Sequence, residues 1–200
     1  IKPGFALAHY NLGVLLNDIG KLQDAELSYR KTIEIKPGFA LAHYNLGVLL
    51  NNLGKSKEAE LSYRKAIELK PDFAKAHSNL GNILKDQGKS QDAELSYRKA
   101  IEIKPDYAEA LSNLGIILKD QGKSQDAEIS YRKAIEIKPD YAEAHSNLGI
   151  ILIDFGKLKD AESSLRKAIE IKPNYAEAFW NLSLLELLLG DYKNGLENYE

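Results

Sequence analysis

The chain has 200 residues, 44% of them apolar, which is enough to bury a sizeable core and excludes a disordered class. Lys plus Arg (27) nearly balances Asp plus Glu (29), so the formal charge of -2 leaves no basic surplus for nucleic acid or an anionic membrane. Cysteine is absent, which removes disulfides, thiolate metal sites and thiol catalysis and suits a reducing, cytoplasmic setting.

Prolines stand at positions 3, 37, 71, 105, 139 and 173, each 34 residues from the last, and IKPGFALAHYNLGVLLN occurs both at 1 and at 35. A fixed period of this size marks a solenoid, in which each unit buries its apolar face against its neighbours. Residues 1–5 read as the tail of a preceding repeat. Repeats follow over 6–39, 40–73, 74–107, 108–141 and 142–175, with a truncated sixth over 176–200, all within one continuous domain.

In the first repeat Ala8, Leu12, Leu15, Leu16 and Ile19 recur at spacings of three and four, which predicts a helix with one core-facing side. Gly20 interrupts it. Ala25, Tyr29, Thr32 and Ile33 then form the face of a second helix that stops before Pro37, whose ring and missing N–H forbid continuation. Asp106 with Glu109 and Asp140 with Glu143 predict capping boxes at the following first helices. Glu26/Arg30, Glu60/Arg64, Glu94/Arg98, Glu128/Arg132 and Glu162/Arg166 are spaced for ion pairs on a solvated outer face. Gly13, Gly47, Gly81, Gly115 and Gly149 are expected at a close helix crossing, faced by Ala25, Ala59, Ala93, Ala127 and Ala161. The last repeat departs from this pattern, with Ser183 for the glycine and Gly195 for the alanine. Its stretch FWNLSLLELLLG is shorter than the roughly 20 residues of a membrane span. Exposed apolar residues there (Phe179, Trp180, Leu184, Leu187, Leu188) suggest head-to-tail self-association, the last helices of one copy covering the first helix of the next.

Four histidines, His9, His43, His77 and His145, share a position that carries Leu111 and Phe179 in the other repeats. A position that accepts His, Leu and Phe is a part-buried packing site. Equivalent residues on stacked helices lie about 8–10 Å apart, too far for one shared metal ion. With no phosphate cradle, no ligand pair and no nucleophile elbow, neither a metal, a cofactor nor catalytic residues are expected, and the chain does not read as an enzyme.

The run His145-x-x-Leu148-Gly149-x-x-Leu152, followed by Ala161-x-x-x-Leu165-x-x-Ala168 and Pro173, resembles the tetratricopeptide repeat, and the likeness covers the whole chain. The resemblance implies an all-α, right-handed superhelical solenoid whose first helices line a concave groove where peptide ligands lie. Asn11, Asn45, Asn79, Asn113, Asn147 and Asn181 stand one per repeat in those helices. Mid-helix asparagine costs about 0.5 kcal/mol against alanine, so six copies forgo about 3 kcal/mol, and something offsets it. A primary amide both donates and accepts, as a peptide group does. The series resembles the asparagine ladder in the repeat arrays of O-linked N-acetylglucosamine transferases, which holds a threaded polypeptide backbone. The alternative is a bond from each amide to the neighbouring repeat, fixing the pitch of the stack.

Beside the asparagines the repeats diverge. The preceding residue runs Tyr10, Tyr44, Ser78, Ser112, Ser146, Trp180, and the residue three beyond runs Val14, Val48, Asn82, Ile116, Ile150, Leu184. One turn on come Asn17, Asn51, Lys85, Lys119, Ile153 and Leu187. The groove is therefore expected to be aromatic at its start (Tyr10, Tyr44), polar with Lys85 and Lys119 midway, and apolar near Trp180. The function this pattern predicts is a protein-interaction scaffold holding an extended peptide or partner helix. A substrate-recruiting arm of a larger enzyme such as a glycosyltransferase is the alternative.

Overall fold

The structure, a computed structural model, describes residues 4–197 and is all-α there, with twelve helices in helix–turn–helix pairs. They fall into two compact units that meet in sequence at Lys104 and Pro105. The first unit holds α1 (Gly4–Asp18), α2 (Leu22–Ile35), α3 (Ala40–Asn52), α4 (Ser56–Leu69), α5 (Ala74–Asp86) and α6 (Ser90–Ile103). The second holds α7 (Ala108–Asp120), α8 (Ser124–Ile137), α9 (Ala142–Asp154), α10 (Leu158–Ile171), α11 (Ala176–Leu188) and α12 (Tyr192–Glu197). The tail expected over 1–5 lies partly outside the described residues, and α1 already begins at Gly4.

Each first helix ends on a glycine with positive φ, for example Gly20 at 77°. The Lys21 amide donates to Leu16 O (2.8 Å) and the Gly20 amide to Asn17 O (3.1 Å), a Schellman closure that a side chain with a Cβ would strain. Second helices stop at Ile35, Leu69, Ile103, Ile137 and Ile171, two residues before each proline. The capping boxes do not form. Tyr107 and Tyr141, not the aspartates, occupy the N-cap positions, and neither helix start carries a side-chain cap. The Tyr141 amide closes a backbone turn onto Lys138 O (3.1 Å), which leaves Asp140 one residue too early to reach the helix. The Glu143 carboxylate accepts from Lys172 (3.2 Å) instead.

The periodic apolar face is buried wherever a neighbour covers it. In α3, which packs against α2, Leu46, Leu49 and Leu50 are 1–4% exposed. In α1 the matching Leu12 and Leu15, together with Ile19, are 45–57% exposed and Ala8 is exposed, so the predicted core side of that helix is not core among the described residues. A single repeat cannot cover itself.

The close crossing exists, but its partner is an aromatic ring. A Cβ on Gly47 would stand 2.7 Å from Tyr63 Cε1, and on Gly115 2.6 Å from Tyr131 Cε1; the alanines opposite are not the first atoms met. At Gly149 the neighbour is Leu165, 2.7 Å at Cγ, with the Ala161 carbonyl behind it. In the last repeat buried Ser183 donates its hydroxyl to Gly195 O at 2.6 Å, and a Cβ on Gly195 would stand 2.8 Å from the Leu187 side chain.

All five Glu/Arg pairs form, at 2.8–2.9 Å. The outer-face reading is incomplete, because the Glu26, Glu60 and Glu128 side chains are only 15% exposed and turn toward the next repeat. Glu26 accepts from Lys55 (2.9 Å), Glu60 from Gln87 (2.9 Å) and Glu128 from Lys157 (3.2 Å). The Lys55 bond holds Glu26 below the ordinary carboxylate range, and the Gln87 bond does the same for Glu60. Arg132 and Lys157 lower Glu128 against the opposing effect of burial.

Candidate functional site

The asparagines sit at one register in successive first helices, two residues before the glycine of the close crossing, or before Ser183 in the last repeat. Their surroundings differ. Asn45 donates its amide to Tyr10 Oη (3.1 Å), and Asn79 donates to Tyr44 Oη (3.3 Å) and Tyr63 Oη (3.4 Å), so in the first unit these amides tie each repeat to the one before. Asn11 is exposed, and Asn113 and Asn147 are half-buried. Among the described residues Asn147 has no side-chain hydrogen bond, and the Asn181 amide nitrogen is buried without a partner.

Tyr10 and Tyr44, expected as free aromatic lining, are half-buried structural groups. Tyr10 packs on Phe39 with centroids 5.0 Å apart, and Tyr44 on Phe73 at 4.6 Å and Tyr63 at 5.9 Å. Where the position carries serine it is not lining at all, since Ser78, Ser112 and Ser146 are 0–3% exposed. The partner changes with it: Phe39 and Phe73 stand opposite tyrosine, whereas Tyr141 and Tyr175 stand opposite Ser112 and Ser146. Burial pushes the Tyr175 phenol up to about 12, with Ser146 acting in the other direction. Burial likewise carries Tyr29 to about 12, so these phenols stay protonated near neutral pH and serve as hydrogen-bonding groups only. The sequence held a signal for this exchange, a Tyr/Phe or Ser/Tyr combination at positions 29 apart.

Lys85 and Lys119 are half-buried on the stripe, the Lys85 ammonium 3.8 Å from Asp86, and Trp180 is 47% exposed. The histidines are packing residues with one polar duty. Nε2 of His43, His77 and His145 bonds the carbonyl of Pro37, Pro71 and Pro139 at 2.9 Å in each case. On the second-helix side three cavities open, of about 450, 450 and 670 Å³, with His43, His77 and His145 in their floors. Cations at their edges are already paired, Lys65 with Glu68 and Arg132 with Glu128, which leaves little charge to recognise an ion. Among the described residues no group of three His, Cys, Asp or Glu could hold a metal, and no helix is long and apolar enough to cross a membrane.

Paired helices in a 34-residue period, closed by glycine and proline and joined through repeated side-chain links, define a helical repeat protein of the solenoid class. The chain belongs to the tetratricopeptide-repeat family: models of this repeat match residues 6–39, 40–73, 62–94, 81–122 and 108–174. No curated protein sequence matches it. Among solved structures it is similar to PilF of Pseudomonas aeruginosa (20% identity, TM-score 0.86, covering 98% of this chain and 89% of that one). It is also similar to YrrB, described as a TPR protein with an unusual peptide-binding site (25%, 0.70, 85% and 88%), and to MamA (25%, 0.74, 82% and 96%).

Proposed function

We propose that the chain is a protein-interaction scaffold that holds an extended peptide along the exposed stripe of its first helices. The observation that carries this reading is the asparagine kept at one register in every repeat, at a cost in helix propensity, beside positions that change from repeat to repeat. A constant amide suits a constant feature of the ligand, its backbone; variable neighbours suit its side chains. In this reading Asn11, Asn45, Asn79, Asn113, Asn147 and Asn181 face the backbone, Lys85 and Lys119 an acidic stretch, and Tyr10, Tyr44 and Trp180 apolar residues. The peptide-binding description of YrrB, at 25% identity, favours the same class of ligand. Cysteine-free composition fits a cytoplasmic partner. The test is selection from a displayed library of 12-residue peptides, with Asn79→Ala/Asn113→Ala/Asn147→Ala as the comparison at matched helicity. Peptides retained by the parent and lost by the variant are expected; equal retention removes the reading.

Head-to-tail association of copies belongs to the same proposal, because Leu12 and Leu15 of α1 and Leu184 and Leu188 of α11 are all exposed. Sedimentation as a monomer up to high concentration would dismiss it.

A further inference from the structure

The two readings of the asparagines, structural link and ligand contact, divide most clearly between Asn79 and Asn147. We infer that the exchange of Tyr44 for Ser112 decides the different roles of Asn79 and Asn147, and that backbone capture is centred on Asn147 in the second unit. The inference rests on the peptide-binding reading above and narrows it.

Both Asn79 amide hydrogens have phenol oxygens in reach, Tyr44 at 3.3 Å and Tyr63 at 3.4 Å, and Asn45 is bound to Tyr10 at 3.1 Å. Donors so engaged are not open to a ligand carbonyl without breaking a bond already made. In the second unit the position of Tyr44 is taken by Ser112, whose short side chain is buried and cannot reach as a phenol does. Its consequence is visible at two places. Asn147 has no side-chain hydrogen bond among the described residues, and Tyr131, which stands where Tyr63 stands in the first unit, keeps a buried hydroxyl without a partner. One repeat on, the pattern recurs: Ser146 replaces the tyrosine, and the Asn181 amide nitrogen is buried and unpartnered. Buried polar groups are ordinarily satisfied, so two such losses at the same register mark a feature of the register. Both residues are half-buried, but the Asn181 amide nitrogen is closed off whereas that of Asn147 is not, so Asn147 is the one within reach of a chain lying on α9.

Lys119 lies a turn along on α7, and Ile150 and Ile153 flank the site on α9, all half-buried. The ligand that fits is an extended segment whose carbonyl accepts from Asn147, with an acidic residue near Lys119 and aliphatic residues over the two isoleucines.

The test uses the full chain and one peptide recovered from the displayed library, synthesised with a fluorescent label and titrated by anisotropy. Asn147→Ala should weaken binding about fivefold or more while leaving the thermal midpoint unchanged or slightly raised, since no bond is lost and alanine favours the helix. Asn45→Ala/Asn79→Ala should do the reverse, lowering the midpoint and leaving affinity within about twofold. Ser112→Tyr/Tyr141→Phe, which reproduces the Tyr44/Phe73 pair in the second unit, should weaken binding as Asn147→Ala does. If that double variant misfolds, the contrast between the asparagine variants decides alone. Equal loss of affinity in Asn45→Ala/Asn79→Ala and Asn147→Ala would overturn the division while leaving the groove reading intact. Binding unaffected by any variant would overturn the inference, and a library that yields no peptide would overturn the groove reading and this inference with it.

Discussion

The two units are written in nearly the same 34-residue text, yet they place their hydroxyl groups and their tight contacts differently. In the first, Tyr97 buries its phenol and donates to Asn82 Oδ1 at 2.7 Å; in the second, Ile116 takes the sequence position of that asparagine and the buried Tyr131 hydroxyl has no partner. Glycines press on tyrosine rings throughout the first unit and at Gly115 in the second, whereas Gly149 presses on Leu165. Copying keeps the backbone, while a single exchange at a contact resets whether a polar group is satisfied and whether a neighbour can yield.

The largest difference is expected at the crossings. Gly47→Ala places a methyl 2.7–2.8 Å from two atoms of the Tyr63 ring, itself 2% exposed and fixed by Tyr44 and Asn79. Overpacking of this kind costs about 1–3 kcal/mol, only partly offset by the gain of about 1 kcal/mol in helix propensity. Gly149→Ala meets Leu165 at Cγ, 2.7 Å away in a fully buried side chain, so an off-rotamer shift of about 0.5–1.5 kcal/mol stands against the propensity gain of about 1 kcal/mol and the net loss should be the smaller of the two. Urea midpoints of the two variants would show the first well below the second; equal midpoints would break the contrast.

Next come the phenols, where the sign should invert. Tyr97→Phe loses a buried hydrogen bond and should cost about 1 kcal/mol. Tyr131→Phe removes a hydroxyl with no bond to lose and should be neutral or stabilising by up to about 1 kcal/mol. The same thermal melts read both, and a loss of stability in both would show that Tyr131 has a partner after all.

Much of this organisation was legible in the sequence. Prolines and glycines at fixed spacing marked the helix ends, because ring closure and positive φ are local demands that only those residues meet. The capping boxes were not legible, since Asp140 and Glu143 have the right spacing but the Lys138–Tyr141 turn moves the helix start past the aspartate. Nor was the burial of Ser112 and Ser146, which reading along one helix assigned to the groove. Those facts depend on the neighbouring repeat, and helical spacing describes only what lies on the helix itself. The division among the asparagines escaped for the same reason: the deciding residue lies 35 positions back.

Acid should touch both units alike, with a smaller effect. In the folded state Glu26, Glu60 and Glu128 are held below the ordinary carboxylate value of about 4.5 by their side-chain links. A depressed carboxylate contributes stability that is present above its unfolded value and is lost as pH falls through the folded one. Stability should therefore hold at neutral pH and decline below about pH 4.5. The lysine partners are roughly half exposed, so each link contributes only about 0.2–1 kcal/mol. Glu60→Gln and Glu128→Gln should each lower the midpoint slightly at pH 7 and flatten its fall toward pH 3, and an unchanged slope would show that other carboxylates govern the acid limb.

The smallest effect is expected where the sequence offered its most chemically reactive side chain. His145 bonds the Pro139 carbonyl through Nε2 at 2.9 Å, which needs the tautomer protonated at that nitrogen. Leu111 fills the equivalent position in the preceding repeat, 5% exposed and without such a bond. His145→Leu should lose about 1 kcal/mol of hydrogen bonding, since the carbonyl stands in an exposed turn and can turn to water. It should regain a similar amount by burying aliphatic surface against Leu148 and Ile135, which line the same cavity. A midpoint shift within about 0.5 kcal/mol of zero would confirm that the imidazole is a packing residue with an interchangeable polar bond. A loss well beyond that would mean the proline turn depends on this donor, and that repeats with histidine and with leucine at this position hold their turns by different means.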